Sequence, residues 1–141
     1  MRNSDKYVYG GNNDGYVLFM ILMKNYEDHT GFQPQVKHIQ KDVADLRRRG
    51  FVSLGNKGDG NFITDAGLSY YLTLYFKKKY INGELYDTNS NHMTFVNIYK
   101  NHIIEFPELF KSSINMVNNN SHINYNHEDF ISKLVHYLGL E

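Results

Sequence analysis

The chain is predicted to be mainly α with a small β-hairpin. Three observations carry this. Apolar residues recur at helical spacing through most of the chain. Two short strand candidates, Phe51-Val52-Ser53-Leu54 and Asn61-Phe62-Ile63, flank the glycine-bounded loop Gly55 to Gly60. Thr64-Asp65-Ala66-Gly67 then offers a capping hydroxyl ahead of another apolar stripe.

Taken in order, residues 1–13 are polar and glycine-rich, expected as a flexible N-terminal arm. Asp14 is placed to cap a first helix over about 14 to 27. Val17, Leu18, Met20, Ile21 and Met23 make that helix apolar on most faces, a pattern of core helices. His29-Thr30-Gly31 interrupts it. Pro34 suits the first turn of a second helix over 34–49, with Val36, Ile39, Val43 and Leu46 in one stripe. At 100° per residue, Lys37, Lys41 and Arg48 share the opposite face, with Ala44 beside them. Gly50 is a stop signal.

Beyond the hairpin, Thr64 caps a helix running to about Lys79, with Leu68, Tyr71, Leu72 and Tyr75 inward. Lys77-Lys78-Lys79 suits its negative C-terminal end. Phe95, Tyr99, Ile103 and Phe106 form a further stripe broken at Pro107. Leu109, Phe110, Ile114 and Val117 suggest a shorter helix, and Asn118 to Ser121 a loop. Asn126 is placed to cap a last helix carrying Phe130, Ile131, Leu134, Val135 and Leu138.

Several function classes are disfavoured. The 141 residues contain no Cys, which removes disulfides, thiolate zinc sites and cysteine nucleophiles. The N-terminus lacks the apolar run of a secretion signal, and Tyr16 to Met23 is too short to span a bilayer. A cytoplasmic protein with no membrane contact is expected. Gly10 to Gly15 is followed by no Gly-Lys-Ser/Thr, so a phosphate loop is not indicated. His122, His127 and Glu128 fit no standard metal spacing. No nucleophile–base set is legible. No enzyme activity, cofactor or metal is therefore expected.

Net charge is zero but uneven. Residues 1–80 carry 12 Lys/Arg against 8 Asp/Glu, and residues 81–141 carry 3 against 7. An anionic partner suits the front half only.

The order helix, helix, Gly, strand, loop, strand, Thr-capped helix resembles the winged helix-turn-helix family of DNA-binding regulators. The resemblance covers roughly residues 14 to 80. It rests on Leu46-Arg47-Arg48-Arg49-Gly50-Phe51-Val52, the Gly55–Gly60 wing, and Ile63-Thr64-Asp65-Ala66-Gly67-Leu68. Asp14-Gly15-Tyr16 with the later Leu46-x-x-x-Gly50 is similar to the PadR branch. A winged helix-turn-helix plus C-terminal helices is the implied fold, with a winged-helix DNA-binding domain over 14–85 and a helical segment over 92–141. The space between Gly31 and Gly50 requires the family's positioning helix to be very short or to begin within 26–33.

The resemblance implies a sequence-specific double-stranded DNA-binding protein. The expected settings are a dimeric transcriptional regulator, often a repressor, or a plasmid- or phage-type DNA-organising factor. Expected contacts are Lys37, His38, Lys41, Ala44 and Arg48 on the second helix, and Asn56 and Lys57 at the wing tip. Arg47 and Arg49 point to the flanks, where Asp42 and Asp45 compete for them. Homodimerisation is expected through helix 65–79 and the C-terminal helices, which also suit a protein partner. The alternative is a winged-helix protein–protein interaction module without DNA binding.

Overall fold

A computed structural model describes residues 14–81, 100–119 and 126–138. Its elements are α1 (Asp14–Glu27), α2 (Lys37–Arg48), β1 (Val52–Leu54), β2 (Asn61–Ile63), α3 (Asp65–Ile81), a helical stretch over 100–105, α4 (Pro107–Asn119) and α5 (His127–Leu138). The described part is thus mainly helical with one antiparallel hairpin. Its register pairs Val52 with Ile63, Ser53 with Phe62, and Leu54 with Asn61. The expected N-terminal arm, Phe95, Tyr99 and His122 lie outside the described residues.

α3 is the axis of the packing. Gly67 to Leu74, Phe76 and Lys77 are all buried. One continuous core joins Leu18 and Ile21 of α1, Val43 and Leu46 of α2, Leu72 and Phe76 of α3, and Phe110 and Phe130 of α4 and α5. Burial of this apolar area is the main stabilising term. The C-terminal helices are docked by polar contacts as well. The Tyr80 hydroxyl donates to Asp129 Oδ2 at 2.6 Å, and the Tyr80 and Phe130 ring centres lie 5.3 Å apart. Ser69 Oγ and His102 Nε2 meet at 2.9 Å, both groups buried.

The start of α3 explains Thr64-Asp65-Ala66-Gly67. Thr64 Oγ1 accepts from the Gly67 amide at 3.0 Å and donates to the Gly50 carbonyl at 2.7 Å. One hydroxyl therefore caps α3 and ties it to the turn after α2. Gly50 itself has φ +85°, a left-handed conformation that favours glycine. Gly67 has a different reason. A Cβ there would lie 2.0 Å from the Phe51 carbonyl oxygen, so only glycine lets α3 abut that turn. The expected cap by Asn126 is present too: its Oδ1 accepts from the Asp129 amide at 2.9 Å.

Three expectations are corrected. The second helix starts at Lys37, not near Pro34, because tertiary contacts hold the preceding chain extended. Phe32 forms an isolated bridge with Asn61, and Gln33 Nε2 donates to the Gly58 carbonyl at 2.8 Å. Pro34 also disfavours helical geometry at Gln33. Val36 consequently sits before the helix, 51% exposed. No separate positioning helix exists, since residues 28–36 form bends and that bridge. α1 itself lies against α2 in its place. Finally, Lys77 is not a solvated helix-end cation. It is 1% exposed, in line with the buried Thr73 and Ser69 one and two turns earlier.

Two outcomes follow from these placements. Gly67→Ala gains about 1 kcal/mol of helix propensity but forces a carbonyl clash of larger cost. Chemical denaturation should show a net loss of about 2 kcal/mol, and a gain in stability would refute the close approach. For Lys77, burial lowers the amine from its ordinary 10.5 to about 8. Between those values the unfolded chain holds a proton that the folded chain has lost, so stability rises with pH. Unfolding free energy should increase by about 1–3 kcal/mol between pH 8 and 10. Lys77→Met should remove that rise.

Candidate nucleic-acid interface

The three consecutive arginines divide into three environments. Arg49 faces inward. Its Nη2 lies 2.9 Å from Asp14 Oδ2, and its Nη1 lies 3.3 Å from Asp45 Oδ2. The Tyr70 hydroxyl donates to the same Asp14 oxygen at 2.6 Å. The guanidinium carbon also stands 5.1 Å from the Phe51 ring centre and 5.6 Å from that of Tyr70. Those two rings stack at 4.5 Å. One side chain thus gathers α1, α2, the turn before β1, and α3.

The ionisation of this cluster follows from its composition. Burial works against the Arg49 charge, but Asp14 outweighs it and raises the guanidinium above its ordinary value. Burial raises the Tyr70 phenol, and the adjacent Asp14 carboxylate raises it further. Asp45 is held below the usual carboxylate range, chiefly by its hydrogen bond from Arg48 and also by Arg49.

Arg47 serves the hairpin. Its Nη1 donates to Asn61 Oδ1 at 2.7 Å, while Asn61 Nδ2 donates to the Phe32 carbonyl at 2.9 Å. Asn61 is 4% exposed, so its amide is satisfied from both sides rather than left to solvent. Asn25 adds a second link: its Oδ1 accepts from the Ile63 amide at 2.9 Å. These bonds hold the hairpin against α1 and α2. Arg48 is the most exposed of the three, its side chain 76% exposed and 2.6 Å from Asp45 Oδ1.

Lys37, His38 and Lys41 are exposed on α2, and Ala44 is half-buried beside them. Asn56 and Lys57 are exposed in the hairpin loop. Lys37, Lys41 and Lys57 form no ion pair among the described residues. The expected site residues therefore lie at the surface, with Arg48 shared with Asp45. Two open clefts lie beside the hairpin. One of about 320 Å³ is lined by Gln40 and Arg47 of α2 and by Leu54, Gly58 and Gly60 of the hairpin. A larger one of about 810 Å³ lies between residues 29–35 and the hairpin, at Gly58, Asp59 and Phe62. The smaller cleft thus joins the Gln40–Arg47 flank of α2 to the hairpin, and none of the expected site residues lines either cleft.

Sequence reasoning missed Gln33, Gln40 and Arg47 as parts of this surface. Gln40 carried a usable signal, because helical spacing places it about 60° from Lys37. Arg47 lies only about 20° from Gln40 by the same spacing, whereas Gln33 carried no signal, since its bond to the Gly58 carbonyl spans residues distant in sequence. Among the described residues no helix is long and apolar enough to cross a membrane, and no cluster of three or more His, Cys, Asp or Glu is placed to hold a metal.

Comparison of the chain with protein-family models, with curated proteins and with solved structures finds no match to any of them.

Proposed function

We propose that this chain binds double-stranded DNA in the manner of a winged helix-turn-helix protein, as a transcriptional regulator or DNA-organising factor. In this reading α2 is the groove-facing helix, the hairpin is the wing, and α1 takes the place of the missing positioning helix. The observation that supports it best is the pair of exposed cations Lys37 and Lys41 on one face of α2, with Lys57 also exposed in the hairpin loop. Phosphate neutralisation by these lysines supplies affinity and register. The small Ala44 side chain lets the helix approach a groove floor closely. Arg48 joins them readily, because an exposed pair such as Arg48–Asp45 is worth only ~0–1 kcal/mol and a phosphate can replace Asp45.

A second reading, a protein-interaction module without DNA binding, is favoured by the exposed apolar side chains around the same surface. Leu54 is 64% exposed on the cleft wall, and Val36 is exposed ahead of α2.

Salt dependence separates the two readings. Three phosphate contacts per chain give a slope of log K against log salt of about −3, or roughly a 40-fold loss between ~50 and ~200 mM. Lys37→Glu with Lys41→Glu should abolish duplex binding in a gel shift while leaving the thermal melt unchanged. Arg48→Ala should weaken it less than Lys41→Ala. Duplex binding that ignores salt, or that survives the double reversal, would refute the DNA reading.

A further inference from the structure

The exposed arc of α2 is not uniform. Measured round the helix from Lys37, Arg48 and Lys41 lie at about 20° and 40°, and Asp45 and Asp42 at about 80° and 140°. On the other side, Ala44, Gln40 and Arg47 lie at about −20°, −60° and −80°. The bond from Arg47 to Asn61 turns this second flank toward the hairpin, so the acidic flank faces away from it. A polyanion seated on the lysines is repelled by the carboxylates and drawn to the hairpin side.

That side lines the cleft of about 320 Å³, where Gln40 and Arg47 are joined by Gln33, Leu54 and Asn61. Its long polar side chains are each anchored at one point. Gln33 Nε2 donates to the Gly58 carbonyl at 2.8 Å, and Gln40 Nε2 to the Pro34 carbonyl at 3.2 Å. A carbonyl oxygen only accepts, so these bonds fix which end of each amide is nitrogen and leave Oε1 as an open acceptor. Arg47 gives one Nη1 hydrogen to Asn61 Oδ1 and forms no ion pair among the described residues. Its charge is therefore uncompensated, and the rest of its fork is open.

The cleft thus presents donors and acceptors together. A phosphate offers acceptors alone and leaves the carboxamide oxygens unmatched. The edge of a base pair offers both kinds of group. We infer that Arg47 and Gln40 are the residues by which this chain selects a DNA sequence, Arg47 on O6 and N7 of a guanine and Gln40 on N6 and N7 of an adenine. The inference rests on the duplex-binding reading above and assigns a separate task within it: the lysines hold phosphates, and the hairpin-side flank reads bases. Anchoring the two side chains in advance lowers the cost of ordering them on a base. They are seven residues apart, about 10.5 Å along α2, which spans about three base pairs of a groove.

The test is selection by the full chain from a randomised duplex pool, followed by affinity measurements on single sites against salt. The wild-type chain should enrich a guanine and, about three base pairs away, an adenine. Arg47→Lys keeps the charge and a donor for Asn61 but lacks the fork. It should lose discrimination at the guanine position by roughly tenfold or more, with the salt slope and thermal melt unchanged. Gln40 is exposed, and Gln40→Ala should lose the adenine preference alone, which keeps the test decisive if Arg47→Lys folds poorly. Unchanged base preferences in these variants would overturn the inference. So would an equal loss on every sequence with a salt slope smaller by about one, the mark of a phosphate contact. A wild-type chain that binds duplex but enriches no sequence overturns it and leaves the binding reading standing. A wild-type chain that retains no duplex overturns that reading and the inference with it.

Discussion

The posture of α2 depends on one guanidinium. Arg49 is the last residue before the turn into the hairpin, and it reaches Asp14 at the start of α1, Asp45 one turn back, and the ring pair Phe51–Tyr70. Its partners come from elements far apart in sequence, so the contact fixes tertiary geometry rather than a helix. Breaking a buried pair of this kind leaves the surviving carboxylate without its main compensation. Asp14 is 7% exposed, which makes that cost real. The neighbouring Arg47–Asn61–Phe32 chain extends the same logic to the hairpin. Consecutive arginines thus hold a helix and a hairpin in fixed relation, and the lysines on α2 and at the hairpin tip are left to solvent.

That division answers a question raised by the sequence. In a chain that elsewhere favours lysine, three adjacent arginines invite assignment to an anionic ligand. Two of them connect separate elements of the fold. Arginine suits this work because its planar fork can serve several acceptors at once and stack on rings, which an ammonium cannot. The outward cations Lys37, Lys41 and Lys57 are the ones suited to phosphate, and their flexible stems cost little fold stability.

Much of the fold was legible locally. The hairpin and the start of α3 follow from the glycines and Thr64, whereas Asp14, expected as a cap of α1, gives its carboxylate to Arg49 and Tyr70 instead. What escaped was set by distant atoms. Pro34 suggested a helix start, but the Phe32–Asn61 bridge pulls that segment straight until Lys37. The three lysines at 77 to 79 read as cations complementing a helix end, yet Lys77 continues the buried Ser69–Thr73 line. Gly67 looked like part of a motif, and its reason is a carbonyl contributed by the turn at Phe51. For the candidate site, the exposed α2 face was readable from 100° spacing. The inward turn of Arg49 was not, because nothing near it in sequence announces Asp14 or Tyr70.

A double-mutant cycle with Asp14→Asn and Arg49→Met, followed by denaturant unfolding, tests the central claim most directly. About a third of the Arg49 side chain meets solvent, so the pair lies toward the modest end of buried interactions. The account predicts a coupling energy of about 1–2 kcal/mol, with the double variant less destabilised than the sum of the two single ones. Additivity within about 0.5 kcal/mol would contradict it and reduce Arg49 to an ordinary surface cation.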